Sequence, residues 1–399
     1  MIKWLKKVLK CFLPPPTNTF YQAINRLLAA LGRIERAEKD NADKIAGLNR
    51  KIDALTARVN IVSEQLAAAE SRLASTESAV IRQINAPFSP CVASPLPVLD
   101  DKQIDICGAM PDDESQKSWG DLHFAVALKK EFERSGFKAN IIFADQWYAS
   151  SPARYTLVLR GNKPYFPYAV PGKKFILWNI SHPNDVPIEE YNLYDYVLFA
   201  SERLYQKLND RIRPASDYLL QCTDPEVMLA QDTQEKRFEL LFVGNSRSVY
   251  RKILADLLPT THALTVYGDG WDRFAPVKPY VVEKYLDNTK VGQAYHDAKI
   301  LLNDHWDDMR ENGIVSNRIF DALAAGAFVI SDYMPEIDEL FDGAVIMYET
   351  KEELREKIDF YLAHADLRKE LAEKGKRIVL DRHTFRHRVN KILSVIKSL

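Results

Sequence analysis

The stretch Asn312-Gly-Ile-Val-Ser-Asn-Arg-Ile-Phe-Asp-Ala-Leu-Ala-Ala-Gly-Ala-Phe-Val-Ile-Ser-Asp332 decides how this chain is read. Ser316 stands where a helix would be capped, Gly326 where it would end, and Ala327–Asp332 reads as a buried strand. A helix N-terminus at the mouth of a sheet is an anion site, because its free N–H groups and its dipole favour negative charge. Such a site suits a diphosphate, and Ser316, Asn317 and Arg318 add side-chain donors. Asp321, about one turn further on, suits a pair of neighbouring hydroxyls such as those of a ribose. The plainer alternative is a surface pair between Arg318 and Asp321.

Outward from this stretch, the same rhythm repeats. Residues 103–110, 138–144, 155–161, 173–181 and 194–201 are apolar runs of the kind that form buried parallel strands, with amphipathic stretches at 121–135 and from 202. A second series follows, with strands at 238–245, 263–268, 298–304, 327–332 and 344–348. Its helices are expected at 248–258, 291–298, 316–325, 335–341 and from 351. Two βαβ series predict an α/β chain with two facing doubly wound domains, 102–225 and 236–380, and a closing helix at 381–399. The ligand cleft then lies between the carboxyl ends of the two sets of strands.

The order Phe242–Lys252 (FVGNSRSVYRK), Val266–Trp271 (VYGDGW) and Ser316–Asp332 (SNRIFDALAAGAFVISD) resembles the C-terminal domain of GT-B glycosyltransferases. It resembles in particular the group-1-like bacterial branch that includes the spore-maturation protein CgeB. The resemblance covers about 103–399, is most specific over 238–348, and implies two Rossmann-like domains and sugar transfer from a nucleotide diphosphate sugar. It sets Asp321 where the family has a ribose-binding glutamate. It sets Gly313 where retaining members carry a further glutamate, the nearest acid here being Glu311, which leaves retention or inversion open. Arg247, with Arg251 or Lys252 behind it and Gly244 in the same loop, matches the residues that hold the donor diphosphate. Neutralising charge on that leaving group is what such a transition state most needs.

Other candidates come from position. Gly268, with Asp269 and Gly270, follows a strand, so the backbone there can approach a base or ribose, or simply turn. His182 follows strand 174–180 and so points into the cleft. The resemblance implies a sugar or acceptor contact there, and a histidine also serves as general base if the reaction inverts. Gly120 and Asp121 at the first loop–helix junction are acceptor-side candidates, although Asp121 is equally suited to capping the helix. Asp304, Asp307 and Asp308 match no dedicated metal loop, and the resemblance likewise implies no metal, so no cofactor is expected beyond the donor substrate.

Composition bounds the rest. The chain has 399 residues, 46% hydrophobic and 27% charged, which excludes wholesale disorder, and no apolar run reaches the length of a spanning helix. Lys+Arg 54 against Asp+Glu 55 argues against a global grip on nucleic acid. Cys11, Cys91, Cys107 and Cys222 form no C-x-x-C pair, so neither a zinc site nor a disulfide framework is expected. No secretory signal is visible, and a cytoplasmic location is expected.

Residues 1–16 read as a basic amphipathic helix: four lysines of MIKWLKKVLKCFL (1–13) share one arc, no acid interrupts them, and Pro14 to Pro16 end the run. This predicts peripheral attachment to anionic lipid on the inner face of the plasma membrane. From Ile24 to Val80 the 3,4 spacing of a and d positions does not slip, which predicts a parallel coiled coil over 20–85, about 85 Å long at ~1.5 Å per residue. Ile45, Ile52 and Val59 at a with Leu48 and Leu55 at d favour a dimer over a trimer. Residues 86–101, with four prolines in Ala86–Leu99, read as a stiff spacer.

Together these readings predict an oligomeric, membrane-associated glycosyltransferase that extends a glycan, lipid-linked as in a surface polysaccharide precursor. The alternatives are a nucleotide-sugar epimerase, which shares the two-domain layout, and a non-catalytic coiled-coil scaffold that retains a sugar-nucleotide fold.

Overall fold

The computed structural model describes residues 98–233 and 236–399. The basic helix, the coiled coil and most of the spacer lie outside the described residues. The first strand begins at Asp100, two residues before the expected start of the first domain.

Lobe 1 is a six-stranded sheet of β1 (Asp100–Cys107), β2 (Lys138–Ile142), β3 (Ala153–Arg160), β4 (Lys174–Asn179), β5 (Tyr196–Phe199) and β6 (Ala215–Tyr218). All pairings are parallel, in the order β2-β1-β3-β4-β5-β6. Its helices are α1 (Gly120–Arg134), α2 (Ile188–Tyr191) and α3 (Glu202–Leu208). Alternation within the strands feeds two cores: Ile104, Leu157 and Trp178 pack with Phe124, Leu128 and Phe132 of α1, while Cys107, Val158 and Leu177 face the opposite layer. Burial on both faces is why these strands read as continuous apolar runs.

Lobe 2 contains β7 (Phe238–Val243), β8 (Leu264–Tyr267), β9 (Val281–Glu283), β10 (Ala298–Asn303), β11 (Val329–Asp332) and β12 (Ile346–Tyr348), again all parallel. The order is β12-β11-β10-β7-β8-β9. Its helices are α4 (Lys252–Leu257), α5 (Asn288–His296), α6 (Asp307–Glu311), α7 (Asn317–Ala324), α8 (Pro335–Phe341), α9 (Lys351–Ala363) and α10 (Ala365–Arg382). Both sheets reverse direction once, between β1 and β3 and between β7 and β10. Those crevices are where ligands meet doubly wound sheets.

Most predicted elements are present, with local differences. The helix expected at 248–258 starts only at Lys252, because Arg247 and Ser248 adopt left-handed φ values of 48° and 66°. Strands β6 and β9 have no fully buried residue and so leave no apolar run, and helix α6, at five residues, is too short to show a period.

The last helix, α11 (Phe385–Ile396), returns to lobe 1. Phe385, Val389, Ile392, Val395 and Ile396 are buried in the lobe 1 core, and the Phe385 ring meets Phe124 edge-on at 4.7 Å. Thr223, on the outgoing crossing between lobes, pairs with Thr384 on the return crossing. Both lobes belong to one compact unit. Ile392 is fully buried, so Ile392→Ala should cost about 2–5 kcal/mol, and urea unfolding should register that loss in lobe 1 fluorescence.

Candidate functional site

The cleft between the lobes is bounded by the loop after β4, the start of α1, the loop after β7, the end of β10 and the start of α7. One arm is lined by residues that include Asp121, His182, Arg247, Arg251, Trp306, Ser316, Asn317 and Arg318, and encloses about 190 Å³. Arg247 and the first turn of α7 therefore share one hollow.

Three arginines gather there. Arg251 is buried and holds Asp304: Nε donates at 3.2 Å, Nη2 reaches the Asp304 carbonyl at 2.9 Å, and Nη2 also ion-pairs with Oδ1. Its guanidinium lies 4.5 Å from the centre of the Trp306 ring, with Arg247 5.9 Å from the same ring. Arg318 donates from Nη1 to Asn303 Oδ1 at 2.7 Å and sits 5.1 Å from the Phe242 ring. Burial, then the neighbouring Arg251, push its pKa down. Three guanidiniums against the carboxyls of Asp304 and Asp121 leave an excess of positive charge where a diphosphate would fit.

The loop that carries Arg247 is held by its neighbours. Ser246 N donates to Asp269 O at 2.9 Å, Ser246 Oγ to Gly270 O at 2.7 Å, and Trp271 Nε1 to Gly244 O at 3.1 Å. A Cβ on Gly244 would lie 2.6 Å from Arg318 Nη2, so glycine there admits the guanidinium. Gly268, at φ 137°, would set a Cβ 2.2 Å from Gly244 O. Close packing between the two loops accounts for Gly268, which does not line the cleft.

Other expected residues are placed differently from the sequence reading. Lys252 pairs with Asp256 and covers the Tyr348 ring at 5.3 Å, away from the cleft. Gly313, at φ 71°, is wedged between lobes, where a Cβ would meet Glu336 Oε1 at 2.5 Å and Ser201 Oγ at 2.9 Å. Around it, Ser201 Oγ donates to Asn312 O at 2.7 Å, Lys207 to Asn312 Oδ1 at 2.9 Å, and Arg203 pairs with Glu336 at 2.5 Å. Ser316 begins α7 without a side-chain cap bond and lines the cleft. Asp121 lies in the first turn of α1, whose cap position is Trp119.

Asp321 does not pair with Arg318 and does not line the cleft. Its Oδ1 accepts from Thr223 Oγ1 and its Oδ2 from Asn317 Nδ2, both at 2.7 Å. Burial lifts its pKa from 3.8 to about 7, only partly opposed by the Thr223 and Asn317 bonds. The acidic trio is also spent internally: Asp304 on Arg251, Asp307 on Arg310 at 2.6 Å, and Asp308 on Met309 N at 2.9 Å. Among the described residues no cluster of three metal-ligating side chains occurs.

On the lobe 1 side, His182 adopts a left-handed φ of 51°, and its Nδ1 lies 2.9 Å from Ser181 Oγ. Asp121 faces it: burial raises the Asp121 pKa, and Arg247 and His182 pull it back. Trp306, His305, Trp119, Asn162 and Asn245 also line the cleft but were not singled out in the sequence. His305 Nδ1 is 2.7 Å from Asp332 Oδ1. Burial pushes Asp332 up, yet His305 outweighs it and the carboxyl is held down at about 2. A polar pair at the end of a buried strand was the available signal, in Asn303-Asp-His-Trp306.

Comparison with known proteins fits this geometry. Residues 247–394 match the family described as Glycosyl transferase-like. A search of curated proteins finds no match. Sucrose-phosphate synthase from Thermosynechococcus elongatus is similar in structure, with TM-score 0.54 at 9% identity over 74% of this chain and 98% of that one. An alpha-glucosyltransferase in complex with UDP and mismatched DNA aligns with TM-score 0.57 at 9% identity, over 74% and 99%. Anabaena HepE in complex with UDP-glucose aligns with TM-score 0.55 at 10% identity, over 74% and 100%. The fold is GT-B, and with the matched domain these findings support a glycosyltransferase.

The raised Asp321 pKa has a sign. The folded chain resists losing this proton, so the group's contribution to stability is full below about 3.8 and is lost as pH rises through about 7. The melting temperature of the wild type relative to Asp321→Asn should therefore fall across that window and flatten above it.

Proposed function

We propose that the protein transfers a glycosyl group from a nucleoside diphosphate sugar to a glycan acceptor, as a member of the group-1-like branch. The observation that carries this is the convergence of Arg247, Arg251 and Arg318 with the N-terminus of α7 on one cleft. Residues 247–394, with the glycosyl transferase-like match, contribute all three.

In this reading the diphosphate lies against the guanidiniums and the free amides of α7, with Trp306 behind Arg247 and Arg251. As the bond from anomeric carbon to phosphate oxygen breaks, the electron pair passes to the departing diphosphate, where fixed positive charge stabilises it. His182 and Asp121 face this charge from lobe 1, the side from which an acceptor hydroxyl would approach. One of them takes the hydroxyl proton as the new glycosidic bond forms. Arginine supplies the charge neutralisation here, so the scheme requires no metal.

The finer parts rest on sequence. The lysines of residues 1–13, with no acid among them, support attachment to anionic headgroups on the inner face of the plasma membrane. Such attachment would bring a lipid-linked acceptor to raised local concentration. The unbroken heptads of 24–80 support self-association as a dimer.

UDP is a suitable probe, since similar structures were solved with UDP or UDP-glucose. At ~100 times Kd it should stabilise the protein by about 2.7 kcal/mol in a thermal melt. Arg247→Ala should weaken binding at least tenfold, about 1.4 kcal/mol. If no nucleoside diphosphate or its sugar shifts the melt, the donor assignment fails.

With a donor in hand, His182→Ala and Asp121→Asn should leave UDP affinity within about twofold. At least one of them should lower transfer by ~10²–10⁴ in a sugar-release and product assay. Turnover of the donor without any acceptor would favour epimerisation instead.

A further inference from the structure

We infer that the arm of the cleft formed by Trp119, Asn162 and Asn245 is the acceptor subsite, and that it receives the terminal pyranose of a saccharide laid against the Trp119 indole. This rests on the transfer reading above and adds to it the residue that recognises the acceptor.

This arm encloses about 280 Å³ and is distinct from the one that holds Arg251 and Arg318. The two share a wall of Gly120, Asp121, Ser181, His182 and Arg247. A molecule in one arm therefore meets a molecule in the other beside His182 and Asp121. The volume stands near the lower end of small-ligand pockets, roughly 300 Å³, which suits one sugar ring better than a longer stretch of chain.

The lining chemistry narrows the class. Two primary amides, a serine, a histidine, a carboxyl and the Arg247 guanidinium line a largely polar space in which Trp119 is the one large aromatic side chain. A pyranose needs that mixture, because its hydroxyl edge requires paired donors and acceptors and its C–H face requires an aromatic plane. An acyl chain would leave the amides desolvated and unpaired.

Trp119 is anchored beside this arm. It precedes α1, its carbonyl accepts from Leu122 N at 3.1 Å, and its side chain is partly buried against the lobe 1 core. Lys163 Nζ lies 5.9 Å from the ring centre, and Lys163 is exposed on the loop that also carries Gly161 and Asn162. This loop follows β3 at the crevice of the first sheet. Gly161 lies against Asp121 and Ser181 on the floor of the arm, where a Cβ would stand 3.4 Å from Asp121 Oδ2 and from Ser181 Oγ, an ordinary contact.

Saturation-transfer NMR tests the assignment. The probes are methyl glycosides of hexoses, 6-deoxyhexoses, N-acetylhexosamines and uronic acids, applied with and without UDP. At least one should receive saturation on its ring C–H protons. Trp119→Ala should reduce that signal at least tenfold, and Trp119→Phe should retain most of it. Both variants should melt with UDP as the wild type does, which also confirms their folding. Equal signal in Trp119→Ala, or no glycoside signal under either condition, overturns the subsite. Trp119-dependent glycoside binding without any UDP shift leaves the subsite standing and removes the donor reading.

Discussion

The buried ion pair between Arg251 and Asp304 is the contact on which the cleft depends. Arg251 closes the loop after β7 and Asp304 follows β10, so the pair ties together the two strand ends that flank the sheet's point of reversal. Taking both charges out of water is costly, and the cost is met only because the guanidinium bonds to both carboxylate oxygens and to a carbonyl. Trp306 is set by the same contact. With Asp304 satisfied by Arg251, the charges of Arg247 and Arg318 still face the hollow, and an anionic ligand would complete the set.

Room for that charge comes from residues without side chains. Gly244 leaves space for Arg318, and Gly268 lets the loop after β8 lie on the backbone of Gly244. The left-handed backbone at Arg247, Ser248 and His182 lies around the same cleft. Unfavourable backbone of this kind persists where the surroundings over-determine it, here the bonds from Ser246 to Asp269 and Gly270.

The architecture was legible because parallel strands buried on both faces leave long apolar runs: Phe238–Val243 and Lys174–Asn179 both fall within the expected spans. The helix from Asn317 and its end at Gly326 were equally readable, since a glycine at φ 78° marks a helix terminus. Side-chain direction was not. Lys252 and Asp321 lie in the expected elements, yet Asp256 and Thr223 claim them, partners 4 and 98 residues away. Local spacing cannot reveal a contact such as Thr223 to Asp321. Trp119 and Trp306 were missed for a related reason: a lone aromatic in a loop has no periodicity, and only the meeting of two lobes distinguishes it from core.

Helix α11 binds the end of the described chain to its beginning. The lobe 1 core, whose first strand starts at Asp100, lacks one wall until Phe385–Ile396 arrives. During synthesis the first domain therefore cannot mature before the second, contrary to the usual order in which domains fold as they emerge. While the ribosome is making lobe 2, the apolar face of α1 around Phe124 stands uncovered, and any chaperone dependence of this protein should concentrate in that interval.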